Sequence, residues 1–237
     1  MYPLRHLQIK AFHLLLVLLF LILACSANTS PGGDAVEVSF NTQDDIVLNG
    51  YIFGEGNVGV ILSHMETGDQ SNWWPFARIL RDKGYKVLTY DFRGFRKSSG
   101  DIALDFSHKD LSAAIDYFVD QNVSNIFLVG AGVGGVASLK LGSQPTISGV
   151  ITLSSPPIFG TLDVVDDIPE IMAPKMFLAA EEDFFNVRSL DVFLQMSTGS
   201  KEKHIIKGIE QGTNMLFGSS GPSVKGLILD FLRRNTS

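Results

Sequence analysis

Cysteine is nearly absent: one in 237 residues. That excludes a disulfide framework and a cysteine-rich zinc site. Charge is also sparse, at 19% of residues against 45% hydrophobic, a balance that excludes a disordered chain. Basic residues are the scarcer sign. The first 24 residues hold Arg5 and Lys10 and no acid, so the remaining 17 bases against 25 acids leave a body at −8. Nucleic acid is bound by a basic surface, so it is excluded as an expected partner. Histidine and carboxylate do not cluster either, and no metal or other cofactor is expected.

What is present begins with an address. Arg5, His6 and Lys10 precede an unbroken apolar run, Leu14 to Ala24. The run is short for a membrane span, which needs about 20 residues, and its charged start predicts a signal peptide over residues 1–24. Ile22-Leu23-Ala24-Cys25 resembles the bacterial lipobox, which implies lipidation of Cys25 after cleavage. It further implies attachment of the exported protein to a cell-envelope membrane, the outer one where there are two, because Ser26 follows. A signal peptide cut near Ser26 or Ala27, or an uncleaved anchor, are the alternatives. Residues 25–35 then form a tether rich in Gly, Ser, Asn and Pro.

From residue 36 to 237 strand and helix patterns alternate in a single domain. Val36–Thr42 and Ile46–Phe53 form a predicted hairpin about Asp44-Asp45. Strands at Val58–Ser63, Tyr85–Asp91, Asn125–Val129, Ser148–Leu153, Lys175–Ala180 and His204–Lys207 are predicted after it. Helices are predicted at Trp73–Lys83, Lys109–Asp120, from the glycine run to Gly142, Val187–Met196 and Val224–Arg234. Such alternation predicts a mostly parallel sheet with helices on both faces.

Residues 60–101, VILSHMETGDQSNWWPFARILRDKGYKVLTYDFRGFRKSSGD, resemble the strand–loop–helix–strand–DxRGxGxS block of the α/β-hydrolase fold. The likeness is nearest to the serine aminopeptidase and monoglyceride lipase branch and continues to the C-terminal helix. Only about 20 residues separate the strands ending at Leu153 and starting at Lys175, too few for a large cap domain. The resemblance implies a nucleophile, an acid and a histidine in that chain order. Gly130-Ala131-Gly132-Val133-Gly134 matches the Gly-x-Ser-x-Gly elbow with Gly132 in place of serine. Glu181-Glu182-Asp183 matches the acid segment and assigns Asp183. Gln211-Gly212-Thr213 matches the histidine segment with Gln211 in place of histidine. Glycine carries no nucleophile, and an amide is not a usable base near neutral pH. Loss of both groups costs on the order of a million-fold in comparable triads.

The oxyanion loop differs as well. The resemblance implies backbone donors from the His64-Met65-Glu66 loop and from Val133, and a Glu66 carboxylate beside them would oppose a developing negative charge. Ser154, Ser155 and Ser138 and His64, His108 and His204 are the candidates for relocated chemistry; packing and turn roles suit each better. The glycine run could suggest a nucleotide site, but no acid ends the next strand, which runs into Ser154-Ser155. Trp73, Trp74, Phe76, Phe95, Ile158 and Phe159 are expected near the old active-site end, some flooring an apolar pocket. The expected function is therefore a non-catalytic binding or scaffold protein at the cell envelope. Its partners would be the membrane, reached through the lipidated N-terminus, and a small apolar or acyl ligand or an envelope protein. The alternative is an active esterase, lipase or peptidase-like hydrolase with relocated catalytic residues.

Overall fold

Valine, isoleucine and leucine runs too short for helices set the architecture of the computed structural model, which describes residues 30–33 and 35–236. The signal peptide over 1–24 and Cys25 lie outside the described residues. Contacts divide the chain into two units, residues 1–33 and 34–237, and the second unit carries the sheet and its helices.

Strands β1 (Val36–Asn41) and β2 (Val47–Phe53) form the predicted hairpin. Its turn is tied by Thr42, whose Oγ1 donates to Asp44 at 2.7 Å and accepts from Ile46 N–H at 3.0 Å. Then come β3 (Val58–Ser63), α1 (Trp74–Asp82), β4 (Lys86–Tyr90), α2 (Ser107–Asp120), β5 (Asn125–Ala131), α3 (Val133–Leu141) and β6 (Ile147–Leu153). A two-stranded ribbon of β7 (Ile158–Phe159) and β8 (Leu162–Asp163) stands between β6 and β9 (Lys175–Ala180), where the sequence showed only a loop. The chain ends with β9, α4 (Phe184–Met196), β10 (Lys201–Ile206) and α5 (Gly221–Asn235).

The main sheet has eight strands in the order β1-β2-β4-β3-β5-β6-β9-β10. The β1–β2 and β2–β4 pairings are antiparallel; from β4 to β10 every pairing is parallel. Parallel strands buried on both faces need two cores. Along β5, Ile126 and Leu128 join α2, α3 and α4 on one side. Phe127, Val129 and Ala131 join α1 and α5 on the other. Each buried Ile, Leu, Phe or Val side chain here contributes roughly 1.5–3 kcal/mol, so the alternation along a single strand fixes both layers.

Two sequence expectations need correction. Strand β10 starts at Lys201, three residues before the predicted His204, because its Lys201-Glu202-Lys203 opening is a charged sheet edge without apolar periodicity. Trp73 and Phe76 do not floor the cleft: both are buried in the core between the sheet and the turn and helix that follow β3.

Candidate functional site

In a parallel sheet the crevice forms where neighbouring strands send their connections in opposite directions. Here that point is β3, flanked by β4 and β5, and its last residue Ser63 pairs with Gly130 of β5. The loop after β3 (His64-Met65-Glu66) therefore lies beside the turn after β5. That turn holds Gly132 at φ 52° and ψ −123°, directly before α3. Such a backbone is strained for any residue with a Cβ. Close approach adds to this: a Cβ on Gly134 would stand 2.4 Å from the Ser63 carbonyl oxygen. The sharp strand-to-helix elbow is thus present, with no side chain at its apex.

Glu66 fills the space above Gly132. A Cβ built on Gly132 would lie 2.3 Å from Glu66 Oε2, and that same oxygen accepts a hydrogen bond from Val133 N–H at 3.2 Å. Val133 is the first residue of α3, so the carboxylate sits on the positive end of a helix. The donor that the resemblance assigns to a reaction intermediate is engaged by the protein's own side chain. The sequence placed Glu66 near this donor; only the fold shows that it reaches it.

His64 takes no part in the crevice. It is fully buried; its Nε2 accepts from Phe92 N–H at 3.1 Å and its Nδ1 faces the Met65 carbonyl at 2.8 Å. A backbone N–H can only donate, so the proton resides on Nδ1 and the ring is neutral. Burial pulls its pKa down to about 4. The imidazole is a strut between the loops after β3 and β4.

At the other end of the crevice, Asp183 caps α4. It is buried and accepts from Asn186 N–H at 3.3 Å and from Asn186 Nδ2 at 2.8 Å. The amide of Asn186 thereby occupies an oxygen of Asp183 that would orient an imidazole in a working triad. Sequence reasoning misses Asn186. Its signal is its position three residues after a helix-capping aspartate. Gln211 is exposed and precedes a 3-10 turn at Gly212–Leu216.

These residues meet in one cleft of about 320 Å³, lined by Met65, Glu66, Gly132, Ser154, Asn186 and Gln211 among others. Asp183 does not line it; its carboxylate is held by Asn186, which does. Ile158 and Phe159 do line it, through the β7–β8 ribbon, whereas Phe95 packs its ring 4.9 Å from His64 instead. Ser154, a turn residue by its sequence, stands in the cleft with φ 49°. Its Oγ donates to Met215 Sδ at 3.6 Å, a thioether that cannot serve as a base. Ser138 Oγ donates to the Gly134 carbonyl inside α3, and His204 pairs with Glu202 on β10.

An eight-stranded, mostly parallel sheet with an elbow before α3 and its crevice at β3 defines an α/β-hydrolase fold. Solved structures agree. The Pyrococcus furiosus esterase Pf2001 superposes with a TM-score of 0.76 at 17% identity, covering 88% of this chain and 93% of that one. The α/β hydrolase GrgF of Penicillium sp. sh18 gives 0.74 at 18% identity, covering 86% and 99%. A membrane phospholipase A described as a bacterial virulence factor gives 0.72 at 17% identity, covering 96% and 100%. Residues 60–182 match the serine aminopeptidase S33 family, and the chain belongs to it. Among curated relatives, the uncharacterised protein YfhR of Salmonella typhi is 29% identical over 112 residues, which is 43% of this chain and 38% of that protein. YfhR of Escherichia coli K12 is 26% identical over 141 residues, 54% of this chain and 50% of that protein. The aligned region thus spans half or less of these relatives.

Proposed function

We propose that this chain is an exported, lipid-anchored member of the S33 family that binds at its old active-site cleft and does not catalyse hydrolysis. One observation carries the reading: Glu66 places a carboxylate on the Val133 N–H, in the space above Gly132 where a serine would project. An anionic intermediate at that donor would meet a negative charge, and preorganised donors of this kind supply about 2.7–4 kcal/mol each in working hydrolases. The absent hydroxyl at Gly132 and the amide at Gln211 support the same conclusion. Export and anchoring rest on the Leu14–Ala24 run and Cys25.

The second reading, a hydrolase with a relocated nucleophile, is favoured by one feature. Ser154 lines the cleft in a strained left-handed backbone. Against it, no histidine is among the described residues lining that cleft. The test uses the full-length chain expressed in a bacterial host. A serine-reactive fluorophosphonate should leave it unlabelled, while labelled palmitate should enter it and be lost with Cys25→Ser. Fluorophosphonate labelling abolished by Ser154→Ala would establish the second reading, and palmitate labelling that survives Cys25→Ser would remove the anchor.

A further inference from the structure

The cleft has an unusual polarity. No lysine, arginine or histidine is among the described residues lining it, and the domain around it is strongly acidic. Its charged side chain is Glu66, whose Oε2 accepts from Val133 N–H while its Oε1 is left without a bond of this kind. Asn186 also lines the cleft. Because a carboxylate can only accept, the bond to Asp183 fixes Nδ2 toward Asp183 and turns Oδ1 the other way. That Oδ1 is buried and has no hydrogen-bond donor, an arrangement that costs about 1–3 kcal/mol unless something donates to it. One side of the cleft is apolar, from Met65, Pro156, Ile158, Phe159 and Phe185, and Ser154, Asn186 and Gln211 make the rest polar.

A half-buried carboxylate with one free oxygen, in a cleft lined by no basic side chain among the described residues, specifies the complementary ligand. We infer that the cleft binds a small organic ammonium, with its N–H donors toward Glu66 and its apolar body against Met65, Ile158 and Phe159. The inference rests on the binding reading above and sharpens it: an acyl or carboxylate ligand is disfavoured, because Glu66 already holds the donor such a ligand would need. A volume of about 320 Å³ suits a compact amine and not a long chain. Charge-assisted hydrogen bonds to Glu66 and apolar contact with the cleft wall are the two sources of affinity.

Three probes of one shape separate charge from shape: benzylammonium, benzyl alcohol and benzoate, titrated calorimetrically into the full-length chain at neutral pH. Benzylammonium should bind about tenfold or more tighter than benzyl alcohol, with benzoate weakest. Glu66→Gln keeps an acceptor for Val133 but removes the charge, and should bring benzylammonium to the level of the alcohol. Glu170→Gln, an exposed acid outside the cleft, should leave the preference intact. The inference fails if benzoate or the alcohol binds as well as the ammonium, if the preference survives Glu66→Gln, or if no probe binds. Fluorophosphonate labelling at Ser154 with the ammonium preference retained would overturn the non-catalytic reading alone.

Discussion

The loop after β4 and the elbow after β5 lie on adjoining sides of β3, and they differ in how their polar groups are employed. After β4, Asp91 accepts from Gln70 N–H at 2.9 Å and from Gln70 Nε2 at 2.7 Å. Arg93 donates to Asp110 and to Asp44, and Ser98 Oγ donates to the Asp91 carbonyl. This loop is a closed polar network. At the elbow the backbone is equally well determined, but by glycines and helix packing, and the side chains above it are left with unused acceptors. Tertiary shape at the elbow does not depend on the groups that would do chemistry there. Shape and chemistry are therefore separable in this fold, whereas after β4 the polar side chains are the shape.

The largest effect should come from breaking the first of these loops. Arg93→Met strands the carboxylate of Asp110, which is fully buried. Losing one partner of a buried pair costs about 3–5 kcal/mol, which urea unfolding monitored by circular dichroism would register. A loss under about 1 kcal/mol, the scale of an exposed ion pair, would show the network to be dispensable.

At the elbow the expected effects are smaller and coupled. Gly132→Ser introduces a Cβ at φ 52° and 2.3 Å from Glu66 Oε2. Strain alone costs about 1–3 kcal/mol, and the clash adds to it. In the background of Glu66→Ala the serine should cost less, with a coupling of about 0.5–3 kcal/mol in a double-mutant cycle. Additive losses would mean that Glu66 does not occupy the apex.

The smallest effect is a pH dependence. His64 is pulled to about 4 from 6.5 by burial. Between those values the unfolded chain takes up a proton that the native ring refuses, so stability falls as pH drops from 6.5 toward 4. Asp91 is pushed from 3.8 up to about 6 by its burial. Its native form takes up a proton first, so across that window it adds stability as pH falls. The two oppose each other. Asp91→Asn should leave the histidine unopposed, steepening the acid loss by up to about 1.4 kcal/mol per pH unit. Denaturation midpoints at several pH values between about 4 and 7 would check the slope; a shallower one would reverse the assignment.

Much of the fold was legible because apolar periodicity and glycine punctuation act locally. The run Ile126-Phe127-Leu128-Val129 announces a buried strand, and Gly84, at φ 89°, marks the stop after α1. The β7–β8 ribbon was not legible, since two-residue strands carry no period, and it forms part of the cleft wall. At the site, the resemblance singled out Gly132 and Gln211, residue types without a hydroxyl or an imidazole. The place of Ser154 in the cleft was hidden because it depends on how β6 and the ribbon meet.

Residue identity by itself determined which reactive groups this chain carries, because a side chain's nucleophilicity or basicity is a property of its atoms. It also determined the order of the main-sheet strands and the long helices, because backbone preference and hydrophobic period are written within a few residues. Only the tertiary structure decided that Glu66 reaches the N-terminus of α3 across a sequence separation of 67 residues and that Asn186 holds Asp183. It also decided that His64 is a neutral strut. Hydrogen bonding and burial depend on which distant atoms the packed sheet brings within about 3 Å, and no local pattern records that distance.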